Sequence, residues 1–136
     1  MPSTTVLMTA HSLPTAIIAQ GDPYEREVRA AAATIAKSLG PVDTRVAFQS
    51  QGMDGGAWLG PDLPETFAAL AAGGARAAVV APIGFVSDHV ETLYDLDVEA
   101  PVLAVKAGLS RLERAPAMNA RPRFVDALEA VVRGML

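Results

Sequence analysis

Ala77-Ala78-Val79-Val80-Ala81-Pro82-Ile83-Gly84-Phe85-Val86-Ser87-Asp88-His89-Val90-Glu91-Thr92-Leu93-Tyr94-Asp95-Leu96-Asp97-Val98-Glu99 is the stretch on which the fold turns. Its opening run, Ala77 to Ile83, is continuously apolar and short, the pattern of a strand buried on both faces of a parallel sheet. The residues after it are acidic and helical in spacing. Five of the fifteen acids in the chain lie between Asp88 and Glu99, and no Lys or Arg occurs between Arg76 and Lys106. Glu91, Asp95 and Glu99 recur every four residues, which places three carboxylates on roughly one helix face. Like charges at that spacing repel, so something must offset the cost.

Working outward, the same strand-then-helix unit repeats. Thr5 to Ala10 reads as a buried strand ended by His11-Ser12-Leu13-Pro14. A loop leads to Gly21-Asp22-Pro23-Tyr24, where Asp22 is an N-cap with Pro23 at the first helical position and Glu25 at capping-box spacing. The helix runs to about Leu39 and stops at Gly40-Pro41. Thr44 to Ser50 is a second strand, followed by a Gly-rich loop holding the only tryptophan, Trp58. Pro64-Glu65-Thr66 opens a helix that ends at Gly73-Gly74. Beyond the acidic helix, Pro101 to Ala107 continues helical after a break at Pro101. Leu112 to Ala115 forms a fourth short strand. Pro122 to Met135 is a final helix with Phe124, Val125, Leu128, Val131 and Val132 on its inner side.

Alternation of strands and crossover-length helices implies one α/β domain over 1–136, with a four-stranded parallel sheet and helices on both faces. A chain of 136 residues can bury a core of its own. A net charge of −4 supplies no basic field for nucleic acid. Without cysteine there is no disulfide, no thiolate zinc site and no Cys-ligated iron–sulfur cluster. No signal peptide or transmembrane segment is visible, which makes the cytoplasm the expected compartment.

Ligands of open parallel sheets bind beyond the carboxyl ends of the strands, where strand order reverses. His11 follows the first strand and Ser87 to Glu91 follow the third, so both are expected at one crevice. The loop with Ser50, Gln51 and Trp58 follows the second strand and lines the same opening. Bland readings stand beside these. A lone histidine after a strand serves structure as readily as chemistry, and an acidic face is ordinarily just solvated. Trp58 is either a loop anchor or a flat surface for an aromatic ligand. In a cleft, however, the acidic row calls for a cation. Carboxylates with imidazole and no thiol suit a divalent metal such as Fe²⁺. Glu91, Asp95 and Glu99 span about 12 Å of helix, too far for one coordination sphere but suited to successive stations. A π-bulge would keep them in line, where a regular α-helix rotates them apart by about 40° per step.

Thr9-Ala10-His11-Ser12-Leu13-Pro14, Gly21-Asp22-Pro23-Tyr24, Gln49-Ser50-Gln51, Trp58-Leu59-Gly60-Pro61, Pro82 to Asp97 and Pro116-Ala117-Met118-Asn119 resemble, in order and spacing, the motifs of the ferrochelatase family. The resemblance covers essentially the whole chain and is to the C-terminal half of such an enzyme. It implies a chelatase-like, Rossmann-like half-domain and a lyase that inserts Fe²⁺ into protoporphyrin IX or coproporphyrin III in haem biosynthesis. It puts the essential histidine on His11 and the essential glutamate on Glu91, as catalytic residues and metal ligands. It makes Asp95 and Glu99 metal-conducting positions on a π-helical segment. Ser12, Ser50, Trp58, Asp88 and His89 become contacts to substrate or to Glu91. Fe²⁺ enters as substrate, and no further cofactor is required. The other wall of the porphyrin cleft is expected from an N-terminal half-domain partner or from a second copy. Gln51, at a position commonly basic in the family, and Met53-Asp54-Gly55-Gly56-Ala57 depart from its pattern. Two rival expectations are a short homodimeric tetrapyrrole chelatase of the sirohydrochlorin or cobalt type and a non-catalytic tetrapyrrole- or metal-binding module.

Overall fold

A computed structural model describes residues 4–136; positions 1–3, the start of the expected domain, lie outside the described residues. The strands are β1 (Thr4–His11), β2 (Asp43–Gln49), β3 (Ala77–Ala81) and β4 (Arg111–Arg114), all parallel and in the order β2-β1-β3-β4. β1 therefore has its successor on one side and β3 on the other, and the strand order reverses between β1 and β3. The helices are α1 (Thr15–Ala19), α2 (Tyr24–Leu39), α3 (Leu63–Ala72), α4 (Val90–Leu93), α5 (Ala100–Ala107) and α6 (Pro122–Met135). Between α4 and α5 runs a π-helical segment, Tyr94–Glu99.

Alternation along the strands divides the core in two. Leu7, Ala47, Ala78 and Val80 point to one face and meet Leu63, Phe67 and Leu70 of α3, Leu96 of the π-segment, and Ala100 and Ala104 of α5. Ala10 and Phe48 point to the other face and meet Val28 of α2, with Tyr24, Ile18 and Leu59 around them. The small side chains of α5 let it lie close on the sheet, and the fully buried Leu96 pins the π-segment to the same layer. The helix carrying the acidic row is thus seated on the sheet by its apolar side.

Several expectations need correction. Asp22 accepts from Tyr24 N at 2.9 Å, but Pro23 occupies the cap and Glu25 pairs with Arg29 instead of closing a capping box. The capping box forms at α3, where Asp62 accepts from Glu65 N at 2.9 Å and Glu65 from Asp62 N at 3.1 Å. The loop after Pro14 contains α1, a turn too short for periodicity to reveal. Pro101 causes no break: it sits in the first turn of α5, where a missing N–H costs little, directly after the widened π-turn. α6 spans the expected residues but has no buried position. Val125 is 48 % exposed, Leu128 50 %, Val131 62 % and Val132 56 %, so its apolar side does not cover its own sheet. β3 is correspondingly only half-buried on alternate residues, not buried on both faces. Among the described residues, no helix is long and apolar enough to cross a membrane.

Candidate functional site

His11 is the last residue of β1, in register with Gln49 at the end of β2. The chain leaves β3 and turns back over the end of β1 at Gly84, whose N–H donates to the Thr9 carbonyl at 3.0 Å. A Cβ on Gly84 would lie 2.6 Å from Ala10 Cβ and 2.8 Å from Ala10 Cα, a contact only glycine avoids. That close crossing delivers the start of α4 to His11. His11 Nε2 lies 3.1 Å from Glu91 Oε1, across 80 residues of sequence.

His11 is held at both ring nitrogens and at its backbone carbonyl. Its Nδ1 meets the Ser12 carbonyl at 2.5 Å, and Nδ1 must carry a proton to make that contact. The Nε2 lone pair then faces the Glu91 carboxylate, so the contact needs one proton shared between them. The Tyr24 hydroxyl donates to the His11 carbonyl at 2.8 Å, and burial pushes the Tyr24 phenol up from its usual value. Ser12 is fully buried: its hydroxyl donates to the Leu59 carbonyl at 2.7 Å and ties the end of β1 to the Trp58 loop. Both members of the pair remain partly open, with side-chain exposures of 35 % for His11 and 47 % for Glu91.

Asp95 and Glu99 face a neighbouring cleft of about 300 Å³, together with Ser50, Gln51 and Asp62. Ser50, in a left-handed conformation just past β2, donates its hydroxyl to Asp95. The π-segment keeps Asp95 and Glu99 on this one face, as their spacing predicts. Gln49 also lines this cleft, 3 % exposed, and among the described residues neither its amide nitrogen nor its amide oxygen has a partner. Among the described residues, no three His, Asp or Glu side chains converge on a single ion position. Glu91 thus meets His11, Asp95 and Glu99 line the cleft, and the three do not share one coordination sphere.

The remaining predicted residues lie apart from the His11–Glu91 contact. Asp88 turns toward β4, where Arg114 Nη1 donates to it at 2.9 Å and Asn119 Nδ2 at 3.0 Å. The Asn119 carboxamide first, and the Arg114 charge after it, hold the Asp88 carboxyl below the usual carboxylate range. His89 stacks at a tilt on Phe85, with ring centroids 5.2 Å apart. The Trp58 indole donates to Asp54 at 2.9 Å and lies over Gly52, where any Cβ would come within 2.4 Å of the ring. It anchors its own loop. Arg114, Asn119 and Tyr24 escaped the sequence reading as site residues. The charge count holds a signal for Arg114, since a cation compensating five acids can also be a side chain of another element, but it reads first as calling for a bound metal.

A family model described as Ferrochelatase matches residues 1–136. A ferrochelatase of Herpetosiphon aurantiacus is 48 % identical over 130 residues, covering 96 % of this chain and 42 % of that protein. A coproporphyrin III ferrochelatase of Anoxybacillus flavithermus is 43 % identical over 128 residues, covering 93 % of this chain and 40 % of its own length. The chain thus spans about two-fifths of the length of these curated relatives. In solved structures, a CbiX protein of Marinobacter aquaeolei, titled for cobalamin (vitamin B12) biosynthesis, superposes with a TM-score of 0.71 at 15 % identity, covering 97 % of this chain and 96 % of that one. That likeness speaks for the fold. With the family model matched from end to end and relatives approaching half identity, the chain carrying this histidine–glutamate pair belongs to the ferrochelatase family.

Proposed function

We propose that this chain is the C-terminal, metal-inserting half of a ferrochelatase, which places Fe²⁺ in protoporphyrin or coproporphyrin during haem synthesis in the cytoplasm. One observation carries the reading: the 3.1 Å contact between His11 Nε2 and Glu91 Oε1 stands beside an acid-lined cleft. Insertion exchanges two pyrrole N–H protons for one divalent ion, so the site must accept protons and deliver a cation at one place.

The pair is suited to the first task. With Nδ1 committed to the Ser12 carbonyl, His11 presents a basic Nε2 outward, and Glu91 offers carboxylate oxygens beside it. Protons leaving the macrocycle pass to this pair. The second task falls to Asp95 and Glu99, a row of carboxylates down which a divalent ion exchanges water for oxygen ligands stepwise. Ser50, Gln51 and the unpartnered Gln49 amide add neutral oxygens to that route. Binding that bends the macrocycle would expose the nitrogens toward the pair.

A second wall is needed to hold a flat macrocycle, and we assign it to an N-terminal half-domain or to a second copy of this chain. Zinc insertion, followed by the fluorescence of the zinc porphyrin, tests the function. The chain is assayed alone and mixed with the remaining portion of the Herpetosiphon relative, with protoporphyrin, coproporphyrin and sirohydrochlorin as acceptors. Metallation of either porphyrin supports the proposal. Exclusive metallation of sirohydrochlorin moves the chain to the short-chelatase class, and metallation of none, in either arrangement, overturns it.

A further inference from the structure

The acidic row is one half of a divided set. Of the five acids between Asp88 and Glu99, Glu91 meets His11, and Asp95 and Glu99 face the cleft, while Asp88 and Asp97 turn the other way. Both of the latter end on one side chain. Arg114, the last residue of β4, has a side-chain exposure of only 16 %. Its Nε and Nη2 reach the two Asp97 oxygens at 2.5 and 2.9 Å, and its Nη1 reaches Asp88 Oδ1 at 2.9 Å. Asn119 completes the arrangement: its Nδ2 donates to Asp88 Oδ2 at 3.0 Å, its Oδ1 accepts from Asp88 N at 2.9 Å, and its own N–H donates to the Val86 carbonyl at 2.8 Å.

The two anchors bracket the functional acids. Asp88 lies three residues before Glu91, and Asp97 lies between Asp95 and Glu99. A π-turn is intrinsically less favourable than the α-turn it replaces and persists where its surroundings impose it. A planar guanidinium gripping both Asp97 oxygens fixes rotation of the segment about its axis as well as its distance from the sheet, which a point charge does not. Residues two apart on a helix point to near-opposite sides, so holding Asp97 against β4 turns Asp95 toward the cleft.

We propose that Arg114 is a positioning residue that holds the π-segment in register, so that Glu91, Asp95 and Glu99 form a metal route instead of a repelling stripe. The inference rests on the reading of that row as the metal route. It is tested on the full chain by site-resolved amide hydrogen exchange and by calorimetric titration with Zn²⁺, for wild type, Arg114→Met, Arg114→Lys and Glu91→Gln.

In Arg114→Met, amides from 94 to 99 exchange at least about tenfold faster while those of β1 do not change, and the Zn²⁺ dissociation constant rises about tenfold, the scale on which supporting residues act on metal sites. Arg114→Lys lies between, since one ammonium cannot grip both oxygens. Wild-type exchange in 94–99 overturns the proposal. So does faster exchange spread equally over β1, or local loosening with an unchanged zinc constant. A wild-type chain that binds no zinc, or a Glu91→Gln chain that binds it as tightly, overturns the metal-route reading instead, and the exchange data still decide on the clamp. If Arg114→Met does not fold, Asp97→Asn, which loses the charged grip with little change in shape, takes its place with the same outcomes.

Discussion

His11 Nδ1 is committed to the Ser12 carbonyl at 2.5 Å, which leaves Nε2 to face Glu91 Oε1 at 3.1 Å. This fixes the tautomer, because only a protonated Nδ1 can donate to a carbonyl. Long-range ¹⁵N–¹H NMR of neutral His11 should show the proton on Nδ1 and none on Nε2. A neutral form protonated on Nε2 would contradict the arrangement.

Gly84 crosses the end of β1 so closely that a Cβ there would lie 2.6 Å from Ala10 Cβ. Gly84→Ala should lower unfolding free energy by about 1–3 kcal/mol, the usual cost of overpacking, as measured by urea denaturation. It should also separate Glu91 from His11. Adding Ala10→Gly should recover much of the loss, because it removes one of the two colliding carbons. A Gly84→Ala chain of wild-type stability would show that the crossing has slack.

Tyr24 supports His11 from beneath by donating to its carbonyl at 2.8 Å. Tyr24→Phe should cost about 0.5–1.5 kcal/mol at neutral pH, the net value of one hydrogen bond. Burial raises the folded-state pKa of this phenol above its unfolded value. The stability it contributes is therefore complete below the unfolded value near pH 10 and fades as pH rises through the higher folded value. Alkaline unfolding should accordingly be less steep in Tyr24→Phe than in wild type.

Asp88 carries the opposite sign. Its folded-state carboxyl is held low by Asn119 and Arg114, so its stabilising effect is present above the unfolded value near pH 4 and is lost as pH falls through the lower folded value. Asp88→Asn should be less stable than wild type at neutral pH and should lose less on acidification below about pH 4. Parallel acid-unfolding curves for the two proteins would show that Asp88 contributes nothing to the acid limb.

Much of this was legible because it depended on local pattern. The apolar run at Ala77 to Ile83 marked a strand, though β3 ends at Ala81 and is only half-buried, and the spacing of Glu91, Asp95 and Glu99 marked a helix that a π-bulge would keep in line, which the π-segment Tyr94–Glu99 supplies. The meeting of His11 with Glu91 followed from topology, since strand ends on either side of a reversal share one crevice. What stayed hidden depended on tertiary geometry. The partition of Asp88 and Asp97 from the other acids is made by Arg114, whose reach depends on the register of β4 against β3. The cation expected from sequence as compensation for the acids is thus, for two of them, a side chain of the protein itself. α6 shows the other limit: its apolar period predicts a helix correctly, but period alone does not say what the helix packs against.

The most direct test compares zinc-porphyrin formation by wild type, His11→Ala and Glu91→Gln, under the conditions in which the wild-type chain metallates, with folding checked by circular dichroism. Loss of a positioned acid–base group costs about 10²–10⁴ in rate. We expect both variants to fall by at least that factor while keeping wild-type spectra. A variant that folds and still inserts zinc at a rate within tenfold of wild type would show that the His11–Glu91 pair is not the reacting centre.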